Sequence, residues 1–283
     1  MKKTYQSFDA EDMKEFEPEA KVGLIATVNP QGLPHITLIT ALQARTPSQL
    51  IWGQFSEGLS KKNVKQNPKT GFLIMTMDKS LWRGKALWTH TQTHGIEYEM
   101  FNNKPMFRYN AYTGIHTIHY MDLVQTYGRE SLPLARIGLG SVLALAGRSA
   151  LKNEGAPRIL KPWAEGLFKR LDTIKFLAFV GQDGFPEIIP LIGAQAADST
   201  RLVFSWLAYK DELRRIMPGT TVAVFGLTLE MEDVLVRGVF RGFSRYRKAM
   251  LGSMDIDWVY NSMPPVHGQI YPELELKPVV DHF

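Results

Sequence analysis

The chain says nearly the same thing twice. Gly32-Leu33-Pro34-His35, an alternating apolar run and Leu50-Ile51-Trp52 recur as Gly184-Phe185-Pro186-Glu187 and Leu202-Val203-Phe204, each 152 positions further on. A repeat of this kind constrains the fold more than any single motif, because each copy must be a complete structural unit.

Periodicity gives the content of the unit. Leu24 to Val28 is a short apolar run that ends at the turn signal Asn29-Pro30-Gln31-Gly32, and Pro34 to Thr40 resumes in β-branched residues. In the second copy Leu177 to Val180 reaches Gly181-Gln182-Asp183-Gly184, and Ile188 to Ile192 follows. Asp and Gly tolerate the positive φ that such a hairpin turn needs. A third strand follows in each copy, over 49–55 and 201–207. Ser60 to Asn67 then reads as a short helix with Ser60 near its N-cap and Pro68 as its stop, matched by Lys210 to Met217 before Pro218. Two further strands close each copy, near 70–77 and 86–93, then 221–227 and 234–243. So many antiparallel strands around one small helix predict a mainly β fold, two tandem barrels whose closure hides the sheet edges.

Each copy follows a helix candidate. Asp9 caps the first, with Phe8 and Met13 as a hydrophobic staple before Phe16, and Pro162 to Leu171 is the second. The expected organisation is a helical arm over 1–20, a first barrel over 21–135 with a helical insertion at about 95–132, a helical linker over 136–172 and a second, degenerate barrel over 173–283.

Composition narrows the chemistry. The 283 residues are 45% hydrophobic and 22% charged, ordinary for two globular units. With no Cys, disulfides, thiolate metal sites and cysteine nucleophiles are excluded. The N-terminus lacks the apolar core of a signal peptide, and Ile137 to Gly147 falls short of the roughly 20 residues of a membrane span. The expectation is a cytoplasmic protein with no membrane partner. A net charge of +5 is dispersed among acids, and its densest groups, Lys61-Lys62 with Lys65 and Arg241 to Lys248, are short. That favours a small anionic ligand over nucleic acid.

The hairpin with Gly-Leu-Pro-His, the strand Leu50 to Phe55 and the run Ser60-Lys61-Lys62-Asn63-Val64-Lys65-Gln66-Asn67-Pro68 resemble the pyridoxamine 5'-phosphate oxidase-like superfamily of FMN-binding split barrels. The resemblance covers about residues 21–93 and, more weakly, 176–243. It implies two tandem split barrels and FMN as cofactor, held through Thr37, Leu38, Ile39, Thr40, Gln54 and Phe55 at the ring and Ser60, Lys61, Lys62 and Asn63 at the phosphate. Physics agrees at the phosphate end, where the open amides and dipole of a helix N-terminus favour an anion. The family's Ser-Arg-Lys is replaced by Gly58-Leu59-Ser60, so either Lys61 or Lys62 can meet the phosphate. Copy two opens its helix with Lys210-Asp211-Glu212, whose carboxylates repel an anion, so one flavin site per chain is expected. Barrels of this family pair, which implies a homodimer or a pseudo-dimer within one chain.

Between the copies, His90, His94, His116 and His119 crowd together with several tyrosines. No HExxH or comparable signature accompanies them, and no metal is expected. Asn110 to Arg129 reads as a helix-rich insertion with Ile115, Ile118, Met121 and Leu123 on one side. Trp88, Tyr112 and His116 are the substrate-contact candidates. No catalytic acid, base or nucleophile stands out, as suits a cofactor that carries the chemistry. The leading expectation is an FMN-dependent oxidoreductase using a reduced donor, a reduced nicotinamide among the candidates, and oxygen or a small-molecule acceptor. The alternative is a non-catalytic flavin- or haem-binding split-barrel protein.

Overall fold

The repeat is visible first in its turns. Gly32 and Gly184 have φ of 76° and 78°. The Asn29 amide donates to Leu33 O and Gly32 to Asn29 O, and Gly181 to Phe185 O and Gly184 to Gly181 O repeat both bonds. The computed structural model describes residues 2–283 apart from 55, 109–113, 154, 247–248, 262–267 and 275–283.

In the first copy α1 (Ala10–Glu15) precedes β1 (Lys21–Val28), β2 (Pro34–Leu38), β3 (Gln43–Thr46), β4 (Gln49–Gln54), α2 (Leu59–Gln66), β5 (Lys69–Thr76) and β6 (Ser80–Gln92). Two short helices, α3 (Ile96–Asn102) and α4 (Pro105–Arg108), lead to β7 (Thr117–Thr126) and β8 (Glu130–Ser131). After α5 (Leu134–Gly147) and α6 (Pro162–Lys169) the second copy runs β9 (Ile174–Val180), β10 (Pro186–Pro190), β11 (Gln195–Ala196), β12 (Arg201–Ser205), α7 (Lys210–Leu213), β13 (Thr221–Leu227), β14 (Asp233–Tyr246), β15 (Ala249–Asn261) and β16 (Gly268–Tyr271).

Both sheets are eight-stranded and share one order. The first is β2-β1-β5-β6-β7-β4-β3 with β8 on β6, and the second is β10-β9-β13-β14-β15-β12-β11 with β16 on β15. Each path begins and ends on strands consecutive in the chain, so the sheet curls into a barrel with its split at that joint. The fold is mainly antiparallel β, two tandem split barrels. Leu50, Trp52, Phe72, Ile74, Trp82 and Met121 fill the first, closed by Phe8 and Phe16, whose rings meet edge-on at 5.2 Å. Leu177, Ile189, Phe204, Val224 and Phe240 fill the second beneath α6. A third core, with Leu24, Ile36, Leu73, Phe176, Ile188, Phe225 and Trp258, lies between the barrels and joins them.

Three expectations need correction. The segment read as a helical insertion over 95–132 is helical only across α3 and α4, and 117–126 is the barrel strand β7, paired with β4 and β6. Its Ile115, Ile118 and Met121 spacing mimics a helix because β7 is buried on both faces, His119, Tyr120 and Met121 in succession, which erases alternation. Asp9 makes no side-chain cap bond to α1. The apolar helix does not stop at Gly147: with a 3-10 turn it runs over Leu134–Leu151, 18 residues, long and apolar enough by length and composition to cross a membrane, and 17% buried.

Candidate functional site

The N-terminus of α2 sits where the two barrels meet. Gly58 is extended, at φ 177°, and the Lys62 amide is the first to bond back, to Gly58 O at 3.4 Å. Helix geometry leaves the preceding amides open. That of Leu59 meets the Tyr260 hydroxyl, brought from β15 of the second barrel. Ser60 is buried, and its Oγ has no hydrogen-bond partner among the described residues.

Lys61 is 6% exposed, lies with its Nζ 5.9 Å from the Trp52 ring centroid, and forms no ion pair among the described residues. The ammonium folds back toward the helix start, where a Cβ added to Gly58 would stand 3.7 Å from it. Burial pulls the Lys61 pKa down to about 8, with Glu57 acting the other way. A buried cation in no direct ion pair among the described residues, an orphaned hydroxyl and open amides together make an anion site.

Behind the lysine runs a chain of hydrogen bonds. Trp52 and His119 are opposed across β4 and β7, and their rings stack at 3.7 Å and 8°. Trp88 Nε1–H donates to His119 Nδ1 at 3.1 Å. An indole only donates, so Nδ1 accepts and the proton sits on Nε2, which donates to Gln54 Oε1 at 2.6 Å. Gln54 Nε2–H then donates to Glu57 Oε1 at 2.9 Å. Burial, with the charges of Lys61 and Lys65, drives the His119 pKa to about 3, so the imidazole is neutral and its tautomer is fixed.

Among the ring candidates, Thr37 and Leu38 lie on β2, an end strand of the sheet path, while Ile39 and Thr40 fall in the turn after it. The Thr37 Oγ1 and Trp52 Nε1 atoms are buried without hydrogen-bond partners. Ser60 and Lys61 come together, whereas Lys62, read as an equal candidate, points to solvent because it lies on the opposite side of α2. Asn63 is buried but committed to the scaffold, donating to Thr27 Oγ1 at 3.0 Å. Trp88 is half-buried against His119, and His116 is exposed beside Thr117. Phe55 and Tyr112 lie outside the described residues. Sequence reasoning missed His119, Glu57, Trp52 and Tyr260 as parts of this site. Only the Trp52–His119 register across two distant strands could have flagged the histidine.

The equivalent place in copy two is built differently. Glu212 stands at the repeat position of Ser60, and Leu213 at that of Lys61. Glu212 is bonded by Arg83 of the first barrel at 2.6 and 2.8 Å and by Lys2 at 2.6 Å, and Arg83 also holds Glu130. Burial would raise the Glu212 pKa, but bonds from Arg83 and Lys2 hold it below the usual range. Asp211, expected to repel an anion beside it, is exposed. The adjoining cleft of Pro190, Leu191, Ile192, Phe204 and Tyr209 is covered by α5, with Gly140 against Ser205 and Ser141 against Gly193. The second site therefore carries its own anion and its own lid.

No family model and no curated protein matches the chain. Solved structures similar to it include HupZ of Group A Streptococcus, 17% identical over 42% of this chain and 92% of that one, TM-score 0.35. An FMN-binding protein from Syntrophomonas wolfei is 15% identical over 40% and 80%, TM-score 0.35. General Stress Protein 26 from Bacillus anthracis is 13% identical over 41% and 87%, TM-score 0.32.

Proposed function

We propose that the chain binds one FMN, at the α2 site of the first barrel, and works as a flavin-dependent oxidoreductase. The observation that carries this reading is the contrast between the repeats: Ser60 and a buried Lys61 in no direct ion pair among the described residues in one, Glu212 already neutralised by Arg83 in the other. The residues present fit the group. Lys61, the Ser60 hydroxyl and the first-turn amides of α2 would hold the phosphate, and the Thr37 hydroxyl and the end strand β2 would face the ring. FMN, when bound, supplies two-electron redox chemistry between a reduced donor, such as a reduced nicotinamide, and oxygen or a small organic acceptor. The Trp88–His119–Gln54–Glu57 chain sets the floor of the site. It fixes the His119 tautomer and orients Glu57.

Titrating the purified chain with FMN tests this. A saturating flavin spectrum at one equivalent per chain, bleached anaerobically by a reduced nicotinamide, is expected. Lys61→Met should weaken FMN binding roughly 10- to 100-fold, the worth of a charge-assisted hydrogen bond of about 1.5–3 kcal/mol. A chain that takes up no FMN, or two equivalents, overturns the assignment.

A further inference from the structure

The outer face of α5 is an apolar feature that the proposed site does not use. Leu134, Leu139, Val142 and Leu145 are 52%, 56%, 62% and 38% exposed on one helix. Isolated exposed leucines need no explanation, but a contiguous row on one element does. The opposite face cannot turn outward in exchange. Gly140, Ala144 and Gly147 are buried there, Gly140 against Ser205 and Gly147 so close to Leu251 that a Cβ would stand 2.3 Å from its Cδ1. The helix is therefore fixed lengthwise on the second barrel and presents a single side.

The charge on that segment has one sign. From Leu132 to Asn153 the sequence has no acidic residue, while Arg136 stands at the start of α5, and Arg148 and Lys152 at its end. Close packing of Gly147 on Tyr246 brings the exposed Arg245 of the β14–β15 hairpin to the same end. In the sequence Arg245 falls in the run Arg241 to Lys248, which contains no acid. The carboxylates of neighbouring elements are engaged: Asp198 by Asn153 and Thr200, Asp255 by Arg201 and Arg241.

We propose that this face docks the protein on an anionic lipid bilayer, with Leu139, Val142 and Leu145 entering the headgroup–acyl boundary and Arg136 and Lys152 meeting lipid phosphates. An apolar strip rimmed by cations is complementary to such a surface. It is poorly complementary to a second copy of itself. Antiparallel pairing of two α5 helices would set the Arg136 end of one against the Arg148–Lys152 end of the other, and parallel pairing would stack like on like. A helix lying on the surface needs no spanning length, so the expectation of no membrane partner, argued from a short apolar stretch, does not bear on it.

Flotation of the full chain with phosphatidylcholine vesicles, with and without phosphatidylglycerol, tests the proposal. Wild type should float with the anionic vesicles, far less with the neutral ones, and Leu139→Glu with Val142→Glu should abolish flotation while leaving the melting temperature unchanged. If that variant melts early, Arg136→Ala with Lys152→Ala carries the test, with binding to anionic vesicles expected to weaken roughly 10- to 30-fold. No flotation with anionic vesicles overturns the proposal, as does flotation indifferent to both variants. A lipid-free wild-type dimer that becomes monomeric in the glutamate variant would assign the face to a second copy and overturn it too.

Discussion

At the scale of single residues the molecule turns on Lys61. A lysine held at a pKa of about 8 by burial is half discharged at that pH in the free protein. Only the ammonium attracts a phosphate, so FMN affinity should be level below pH 8 and fall as pH rises beyond it, by up to about tenfold per unit. A bound dianion raises the lysine pKa in the complex, which sets where the fall ends and not where it begins, and Lys61→Met should flatten the profile at low affinity. Fluorescence titration between pH 6.5 and 9.5 reads this directly, and an equally steep profile in Lys61→Met would refute the role. The lysine was legible in the sequence because the motif Ser60 to Pro68 is local. Which of Lys61 and Lys62 faces inward was not, since that depends on how α2 is rotated against Thr27 and Trp52. His119 was less legible still: its tautomer is set by Trp88 and Gln54, whose sequence distance hides them.

At the scale of elements, α2 is a short helix with little intrinsic stability, and packing must hold it. Val64 is fully buried beneath it, and Asn63 ties it to β1 through Thr27. Asn63→Ala leaves the buried Thr27 hydroxyl without this donor and should cost about 1–3 kcal/mol in urea unfolding. The same change should quicken hydrogen exchange across α2 before that of β5. Protection of α2 unchanged from wild type would mean that Val64 alone seats the helix. The hairpin of β1 and β2 was readable from its turn signal alone, since both strands are buried almost throughout. Strand β7 was not, because α3 and α4 cover its outer face and a strand buried on both sides loses the period of two on which reading depends.

At the scale of the whole molecule, two barrels of like topology are joined by an apolar core and by buried ion pairs, among them the cluster of Arg83 with Glu212, Glu130 and Lys2, beside which Lys85 pairs with Glu187 and Asp183. Duplication explains the matching strand orders, but the cluster exists on one side only: the β6 position of Arg83 corresponds to Leu235 in β14. The asymmetry was half legible, in Asp211-Glu212, because the sequence displays the acid and conceals the arginine that reaches it from the other copy. Removing one partner of a buried pair strands the other, so Glu212→Ala should destabilise the chain toward the low end of roughly 3–5 kcal/mol, with Glu130 still on Arg83. Replacing both, Arg83→Met with Glu212→Leu, should be near neutral or stabilising. Because the folded Glu212 pKa lies below its ordinary 4.5, its contribution is present above that value and is lost as pH falls through the folded pKa. Wild type should therefore lose more stability than the double variant on acidification below about pH 4.5. Urea midpoints for the three proteins at pH 7 and pH 3.5 decide it: parallel losses in wild type and double variant would show that the cluster does not couple the barrels to pH.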